Sequence, residues 1–486
     1  MNKFPEHFIF GAATAAYQAE GALSVGNRGK NYWDDYLKKT GTFDPSQASD
    51  FYNRYAEDLQ ACHQFGINGI RISIAWSRIF PSGREKVDPI GVQFYHRLID
   101  SCIKNGVTPF VTLHHFDTPE KQFKDGDWLS ANMVDDYIDF AQFCFEEYGD
   151  KVKHWITINE PWSVVAGQYI IGHFPPNNQY ELGKAIQSMH NMMVAHARVV
   201  KKYKEANYQG EIGIVHILES KYGITDQRED SLSAKKEHIL ANQFLLDATF
   251  KGEYSAETMR VINEILSANG AKLELKIEDF DHLKEAAKMI DFLGVNYYAS
   301  HFLKGYTGTS KIQHNGTGEK GSSIFALQGV GERVTNPVIP TTDWDWPIYP
   351  QGLEDMLLLI KQNYPNYGKI YVTENSLGSK DHFEAGQIND EERIDYVRLH
   401  LAAILRAIDQ GVRIEGYFIW SLMDMFSWTN GYNKRYGLFY VDFDTQQRFP
   451  KKSAYWYQKI SKEKVLDQPI KNETSEKSSG NHQHPH

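Results

Sequence analysis

Apolar runs of strand type alternate with amphipathic segments along almost the whole chain. The amphipathic segments carry apolar residues at the 3.6-residue spacing of a helix, as in Phe51–Phe65, Ile90–Asn105, Met133–Tyr148 and Arg393–Gln410. The predicted strands are Phe8–Ala16, Gly69–Trp76, Thr108–His115, Trp155–Asn159, Ile212–Leu218, Phe292–Tyr298, Lys369–Thr373 and Tyr417–Ser421. Strands separated by helices pair in parallel through crossover connections. Eight such units predict the α/β class, as a single-domain (β/α)8 TIM barrel with loop insertions.

Polar and aromatic residues stand at the end of nearly every predicted strand. They include Gln18, Arg71, His115, Asn159–Glu160, Asn296–Tyr298, Glu374 and Trp420. In a barrel of this kind the active site lies at the C-terminal ends of the strands. A two-domain Rossmann arrangement does not explain this recurrence, so the pattern favours one barrel with one site.

The chain divides into one domain over residues 1–466 and a polar tail over residues 467–486, for which we expect disorder. Within the domain, the polar and Gly-rich segment Lys304–Pro350 is interpreted as an insertion after the sixth strand that shapes the site entrance. Gly316–Gly321 has the form G-x-G-x-x-G. No strand-to-helix turn brackets it, so a loop is favoured over a dinucleotide site.

Composition narrows the classes of partner and compartment. The net charge of -10 disfavours a nucleic-acid partner. It does not exclude a phosphorylated substrate, because salt screens the global field over roughly 8 Å and a local cationic pocket overrides it. The three cysteines lack metal spacing and fit a reducing compartment. Met1–Phe10 lacks signal-peptide character and no apolar run approaches about 18 residues, so we expect a cytoplasmic protein without membrane association.

Two strand ends each deliver a glutamate, in Thr157–Pro161 and in Val372–Asn375. Glycoside hydrolysis needs one carboxylic acid that protonates the leaving oxygen and a second carboxylate at the anomeric carbon. When the two groups are about 5 Å apart, the second acts as a nucleophile and configuration is retained. A single buried Glu beside an Asn is more often structural, but two at strand ends favour a catalytic pair, Glu160 and Glu374.

With these two motifs the chain resembles the family 1 glycoside hydrolases. The resemblance extends over almost the whole length, includes Phe10–Gly21 and Arg71–Arg78, and leaves only the C-terminal tail outside. It implies that Glu160 is the acid/base and Glu374 the nucleophile, with no metal and no cofactor.

The resemblance also implies supporting residues around the pair. Arg71 and Tyr298 are expected to stabilise ionised Glu374, since a cation and a hydroxyl donor favour the charged form of a carboxyl group. Glu160 must be protonated in the first step, which requires a raised pKa. The implied sugar-binding residues are Gln18, His115, Asn159, which is expected to contact the 2-hydroxyl, and Trp420, with Trp346 as a wall for the leaving sugar. Ser376 replaces the usual Gly of the family and costs on the order of 1 kcal/mol if its φ is positive.

The stretch from Ser427 to Tyr436 indicates the kind of sugar. Many family members that act on plain glucosides carry a Glu where this chain has Ser427. A carboxylate repels a sugar 6-phosphate, whereas a hydroxyl donates to it. With Lys434 and Tyr436, this residue is similar to the phosphate-binding set of the 6-phospho-glycosidase branch. Trp428 resembles the form that accepts galactosides, where an indole N–H meets an axial 4-hydroxyl.

The resemblance therefore implies a retaining 6-phospho-β-galactosidase activity. Its expected substrate is a small phosphorylated disaccharide, lactose 6-phosphate, which gives galactose 6-phosphate and glucose through a glycosyl-enzyme intermediate. The nearest alternative is 6-phospho-β-glucosidase activity. A plain β-glycosidase is disfavoured by Ser427, and a non-catalytic sugar-phosphate sensor by the presence of both glutamates. The oligomeric state does not follow from the sequence.

Overall fold

Eight parallel strands form a closed barrel in a computed structural model that describes residues 2–467. The strands are β1 (Ile9–Ala13), β2 (Gly69–Ser73), β3 (Thr108–Thr112), β4 (His154–Asn159), β5 (Glu211–Ile217), β6 (Phe292–Asn296), β7 (Lys369–Asn375) and β8 (Ile414–Trp420). Each strand pairs in parallel with its neighbours in chain order, and β8 pairs with β1 to close the barrel. The predicted (β/α)8 TIM barrel is therefore confirmed.

Eight long helices accompany the strands. They are α1 (Phe51–Gln64), α2 (Pro89–Lys104), α3 (Ala131–Tyr148), α4 (Leu182–Glu205), α5 (Ile277–Met289), α6 (Pro350–Asn363), α7 (Glu391–Asp409) and α8 (Lys452–Glu463). Their starts follow local rules, as at α2, where the Asp88 side chain accepts from the Ile90 amide and Pro89 occupies the first turn. Each helix buries one apolar face against the strands, as amphipathic spacing requires.

Further helical segments, most of them shorter, fill the connections between these elements. They are Ala16–Ala19, Tyr32–Thr40, Trp76–Ile79, Glu120–Lys124, Asp127–Leu129, Pro161–Val165, Ala166–Ile171, Arg228–His238, Ile239–Gln243, Phe244–Leu246, Asp247–Lys251, Ala256–Ala268 and Trp428–Asn433. Several of them follow barrel strands directly and shape the carboxyl end of the barrel.

Large side chains fill the barrel interior. They are Phe110, Ile156, Val215, Phe292, Tyr371 and Phe418, with Ile9 packed against them. Gly11 makes room for one of these rings, because a Cβ at that position would lie 2.4 Å from Phe418 Cδ2. The barrel is thus a packed core and not a pore, and it supports a site at one end.

All eight predicted strands exist, but their ends differ from the prediction. The first two predicted strands, Phe8–Ala16 and Gly69–Trp76, extend past the observed strand ends, because short helices begin at Ala16 and Trp76. The apolar residues past the strand ends continue into buried connections, so hydrophobicity alone does not mark where pairing stops. Conversely, β7 continues to Asn375 and so includes Glu374 as a paired strand residue.

The insertion after β6 contains strands that the prediction of a loop missed. Lys311–Gln313, Ile324–Leu327 and Gly331–Val334 join His301–Lys304 and Lys221–Gly223 in a five-stranded sheet. These strands are short and partly exposed, so they lack the apolar alternation that identifies a strand. Gly316–Gly321 does lie in the loop between two of them, as expected. A further small sheet pairs Phe439–Val441 with Arg448–Pro450.

The prediction of a disordered tail over 467–486 falls, apart from Asp467, outside the described residues. Asp467 itself accepts from Arg398 Nε and Trp456 Nε1, at 2.9 and 2.8 Å. Across residues 2–467, no helix has the length and apolar character needed to cross a membrane.

Candidate active site

A cavity of about 420 Å³ opens at the carboxyl ends of the barrel strands. Twelve of the thirteen residues predicted for the site line it, namely Gln18, His115, Asn159, Glu160, Tyr298, Trp346, Glu374, Trp420, Ser427, Trp428, Lys434 and Tyr436. The thirteenth, Arg71, lies fully buried against Glu374. The structure thus brings the whole predicted set together from eight separate parts of the chain.

Glu374 is held on both carboxylate oxygens. Arg71 Nη1 donates to Oε2 at 2.7 Å, and Tyr298 Oη donates to Oε1 at 2.6 Å. Arg71 also donates to the Thr373 carbonyl at 3.1 Å, which ties the guanidinium to the same strand. These contacts hold the Glu374 carboxyl group, which faces the cavity and is 4% exposed. They are compatible with the nucleophile role expected of Glu374, which stays a prediction.

Asn159 connects the two glutamates through its side-chain amide. Its Oδ1 accepts from Arg71 Nη2 at 3.0 Å and from Asn296 Nδ2 at 3.3 Å. Its Nδ2 lies 3.3 Å from His115 Nε2. Both lone pairs of Asn159 Oδ1 therefore have a donor, and one N–H of the Asn159 amide remains for a ligand in the cavity. The predicted contact with a sugar 2-hydroxyl is compatible with this geometry and stays a prediction.

Glu160 has the environment of a carboxylic acid. Its side chain is buried, and burial raises its pKa to about 8, with the charge of nearby Glu374 as the second cause. Ser163 Oγ and Asn296 Nδ2 each donate to its carboxylate at 2.5 Å and oppose part of that rise. At neutral pH the group is mainly protonated, as the sequence argument required of the acid.

Sequence reasoning missed Ser163 and Asn296 as members of the site. Asn296 ends β6; its Nδ2 donates to Glu160, and its Oδ1 accepts from Thr373 Oγ1 at 2.7 Å. It therefore links the strands that carry the two glutamates. A signal was present, since Asn296 is an amide at a strand end. Ser163 stands three residues after Glu160 on a helix, a spacing that brings side chains together.

Two predicted sugar-binding residues keep polar atoms without a protein partner. Gln18 Nε2 donates to the Phe426 carbonyl at 2.9 Å, while its Oε1 is buried and unpaired in the described structure. His115 receives the Asn159 amide on Nε2, so its proton is on Nδ1, which is likewise unpaired. Burial lowers the pKa of His115 and keeps the ring neutral. Trp420 stacks on the His115 ring at 6.0 Å.

Lys434 places a buried amino group in the cavity. The residue is 2% exposed, and burial lowers its pKa well below the ordinary value. Its Nζ lies 3.6 Å from the ring centroid of Trp346 and 4.8 Å from that of Trp344. Within residues 2–467 the amino group has no hydrogen bond and no carboxylate partner. Because a nearby anion would favour its charged form, this buried and unpaired group indicates a site for an anionic ligand.

Ser427 and Tyr436 offer hydroxyl donors beside this charge. Ser427 Oγ accepts from Asn430 Nδ2 at 3.3 Å, which leaves its own proton free. The Tyr436 ring centroid lies 5.6 Å from Lys434 Nζ, and among the described residues its hydroxyl has no partner. The Lys434 amino group and two hydroxyls thus line the same cavity.

Four non-glycine residues that line the cavity have left-handed backbone conformations. They are Phe116 at φ 65°, Glu160 at φ 52°, Asp345 at φ 67° and Trp428 at φ 38°. Such conformations cost of order 1–3 kcal/mol each and persist where the surroundings enforce them. For Trp428 the surroundings are aromatic, with Trp33 at 4.8 Å and Phe116 at 5.1 Å between ring centroids. The indole is fixed as a wall of the cavity.

Two further expectations meet the structure differently. The strain considered for Ser376 does not arise, because its φ is not positive. Trp346 was expected to wall the leaving sugar, yet its ring contacts Lys434 and lies 5.5 Å from Tyr298. It therefore packs against Lys434, and its contact with a leaving sugar stays a prediction.

No group of three or more His, Cys, Asp or Glu in residues 2–467 is arranged to hold a metal ion. The three cysteines are buried and unpaired. The groups that line the cavity and can take part in chemistry include carboxyl groups, hydroxyls, amides and the Lys434 amino group.

Comparison with known proteins places this site in a family context. Residues 1–466 match the model of glycosyl hydrolase family 1. The chain is 62% identical over 466 residues to a 6-phospho-beta-galactosidase of Clostridium acetobutylicum, covering 96% of this chain and 98% of that protein. It is 55% identical over 465 residues to a 6-phospho-beta-galactosidase of Staphylococcus aureus, covering 95% and 99%. Among solved structures, the family 1 b-glucosidase of Thermotoga maritima aligns with a TM-score of 0.85 at 33% identity over 96% of this chain and 99% of that one.

Proposed function

The chain belongs to glycosyl hydrolase family 1, and on that premise we propose that it is a retaining 6-phospho-β-galactosidase. The observation that carries the phosphate part is the buried, unpaired Lys434 ammonium in the same cavity as the two glutamates. The relatives in Clostridium and Staphylococcus carry this activity in their names.

The first step uses the two glutamates in different protonation states. The Glu374 carboxylate attacks the anomeric carbon and forms a glycosyl ester. As the glycosidic bond breaks, the Glu160 carboxyl gives its proton to the leaving oxygen, and the alcohol departs. Support comes from the Arg71 and Tyr298 donors on Glu374 and from the pKa of about 8 for Glu160.

The second step reverses the roles. Glu160, now a carboxylate, removes a proton from a water molecule, and the resulting oxygen attacks the anomeric carbon. The ester to Glu374 breaks, which restores both groups and retains the configuration. The rise in the Glu160 pKa depends in part on the Glu374 charge. Because the ester neutralises that charge, the Glu160 pKa falls in the intermediate, as a base requires.

Two groups of residues recognise different parts of the substrate sugar, namely its 6-phosphate and its 4-hydroxyl. Lys434 supplies a charge for the 6-phosphate, and Ser427 and Tyr436 supply hydroxyl donors. Trp428 is held rigidly by its aromatic neighbours and offers an indole N–H toward an axial 4-hydroxyl. Preference for galactosides over glucosides rests on this residue, so 6-phospho-β-glucosidase activity is the second candidate.

We further propose lactose 6-phosphate as the substrate and a cytoplasmic location. A disaccharide of this kind fits a cavity that combines a phosphate end with an open, aromatic-lined mouth. Three buried cysteines without a disulfide are compatible with a reducing compartment.

Four nitrophenyl β-glycosides test the proposal: the galactoside and the glucoside, each with and without a 6-phosphate. We expect the highest kcat/KM for galactoside 6-phosphate. A preference for glucoside 6-phosphate would keep the phosphate site and remove the role given to Trp428. A preference for the plain sugars would refute phosphate recognition by Lys434.

A further inference from the structure

Lys434 and Tyr436 flank Arg435 in a short extended segment. The Arg435 amide donates to the Ser379 carbonyl at 2.8 Å, and the Ser379 amide donates back to the Arg435 carbonyl at 2.9 Å. Arg393 Nη2 donates to the same Arg435 carbonyl at 2.8 Å. Neighbouring side chains of an extended segment point to opposite sides. Anchoring Arg435 on one side therefore directs Lys434 and Tyr436 toward the cavity on the other.

The Arg435 side chain is held away from the cavity. Its Nη1 donates to Asp424 Oδ2 at 2.6 Å and to the Val441 carbonyl at 2.8 Å. The guanidinium carbon lies 4.1 Å from the centroid of the Tyr440 ring. Arg435 does not line the cavity. Its charge is thus used within the protein and does not compete with Lys434 for an anion.

A buried ionic network extends from this arginine. Lys451 Nζ lies 2.7 Å from Asp424 and 2.6 Å from Asp381, and Arg393 contacts Asp381 at 3.2 Å. Arg393 also pairs with Asp390 at 2.6 Å. The complete set is three cations and three carboxylates, Arg435, Lys451, Arg393, Asp424, Asp381 and Asp390, whose charges cancel. It ties the loop after β7 to the loop after β8 and does not include Lys434, which lines the cavity.

Gly378 sits between this network and the cavity, directly against both phosphate-site residues. A Cβ at Gly378 would lie 2.8 Å from Lys434 Cε and 2.8 Å from Tyr436 Cζ. Its φ is outside the left-handed region, so space and not backbone conformation is what requires glycine here. Gly378 is buried and does not line the cavity.

We infer that Gly378 and Arg435 are positioning residues for phosphate recognition, although neither lines the cavity. Gly378 lets the loop after β7 close against the Lys434 stem and the Tyr436 ring, and the ionic network holds Arg435 so that this contact is rigid. The inference rests on the proposed phosphate site and deepens it. Discrimination between phosphorylated and plain galactosides then depends on contacts outside the substrate cavity.

The substitution Gly378→Ala tests the inference. Carbon atoms pack at about 3.5 Å or more, so the two phosphate-site side chains must move by about 0.7 Å. A misplacement of about 1 Å costs up to about a hundredfold in rate. We expect kcat/KM for nitrophenyl galactoside 6-phosphate to fall about tenfold, chiefly through KM, and kcat/KM for the plain galactoside to change less than about threefold.

The matched control is Gly316→Ala. Gly316 also has a φ outside the left-handed region, and its added Cβ would lie 3.6 Å from the nearest atom, His314 Cδ2, which is an ordinary contact. We expect no change in the preference for the phosphorylated substrate. If Gly378→Ala does not fold, Arg435→Lys replaces it, since lysine keeps the charge beside Asp424 but cannot hold two acceptors in a fixed fork. That variant is expected to lose about threefold in the same preference.

A double-mutant cycle separates positioning from a general structural effect. In a Lys434→Met background, Gly378→Ala should no longer change the ratio of phosphorylated to plain activity, because the ammonium that it displaces is gone. Three outcomes would overturn the inference while the proposed function stands. They are equal losses on both substrates, an additive cycle, and an unchanged ratio of phosphorylated to plain activity in both Gly378→Ala and Arg435→Lys. A wild-type enzyme without preference for the 6-phosphate would overturn the proposed function, and the inference with it.

Discussion

Replacing Lys434 by methionine is expected to remove phosphate recognition without weakening the fold. The side chain is 2% exposed, and within residues 2–467 its amino group lies against aromatic rings, with Trp346 at 3.6 Å, and has no carboxylate partner. In a complex, the 6-phosphate provides the counter-ion that the free protein lacks. Truncating one member of a buried charge pair costs about 2–5 kcal/mol. At about 1.4 kcal/mol per factor of ten, kcat/KM for galactoside 6-phosphate should fall roughly 30-fold to several thousandfold.

The same substitution makes an unusual prediction about stability. An unpaired buried ammonium is unfavourable, and the contacts with the rings offset only part of its desolvation. The free energy of unfolding of Lys434→Met should therefore equal or exceed that of the wild type at pH 7. Burial lowers the Lys434 pKa in the folded state, so between that pKa and the unfolded value of about 10.4 the unfolded chain binds more protons. Stability of the wild type relative to the variant should then rise as pH rises through this window.

The assay compares the four nitrophenyl glycosides and the inhibition by galactose 6-phosphate, together with denaturant unfolding at several pH values. Lys459→Met is the matched control, because Lys459 is exposed and far from the described ion pairs. It should change neither the substrate preference nor its pH dependence. Equal losses of Lys434→Met on phosphorylated and plain galactosides would refute the assignment of Lys434 to the phosphate. A strong loss of stability would refute the view that its charge is unpaired.

Three further predictions concern the acid, the sugar wall and the core. The kcat/KM of the wild type should decline above about pH 8 as Glu160 loses its proton. The substitution Glu374→Gln should lower the Glu160 pKa in an infrared titration, because it removes a neighbouring negative charge. An unchanged Glu160 pKa in that variant would mean that burial alone raises it. Trp428→Phe keeps an aromatic wall but removes the indole N–H. The ratio of galactoside 6-phosphate to glucoside 6-phosphate activity should therefore fall about fivefold, which corresponds to a hydrogen bond of about 1 kcal/mol. An unchanged ratio would contradict a hydrogen bond from the indole N–H to the 4-hydroxyl. Phe418→Ala should lower the free energy of unfolding by about 3–5 kcal/mol with little change in KM. In the control Phe383→Ala, at a side chain 42% exposed, the free energy of unfolding should hardly change. Similar losses of stability in both variants would contradict a packed barrel interior.

The sequence was most informative where a local pattern has only one structural solution. Alternation of strand and helix periodicity determined the parallel barrel, since crossover connections and burial on both faces leave few arrangements. The insertion after β6 was different. Its strands pair in short antiparallel segments with mixed exposure, so their apolar periodicity is weak and the pairing depends on distant chain segments.

The candidate residues of the site could be assembled from the sequence because its motifs resemble those of a known family and because a parallel barrel collects its strand ends at one edge. What the sequence did not contain were the states of those residues. The pKa of Glu160 depends on burial and on Glu374, which lies 214 positions away in the chain. The unpaired state of Lys434 depends equally on which partners the fold supplies.

By itself, the sequence determined the barrel and the residue types at the ends of its strands, because periodicity and motif spacing are local properties. The tertiary structure supplied the burial that raises the pKa of Glu160, and it alone decided that Asn296 bridges two strands. It also decided that Gly378 packs against Lys434 and Tyr436. Electrostatic fields and close packing act through space, between residues that the chain order keeps far apart.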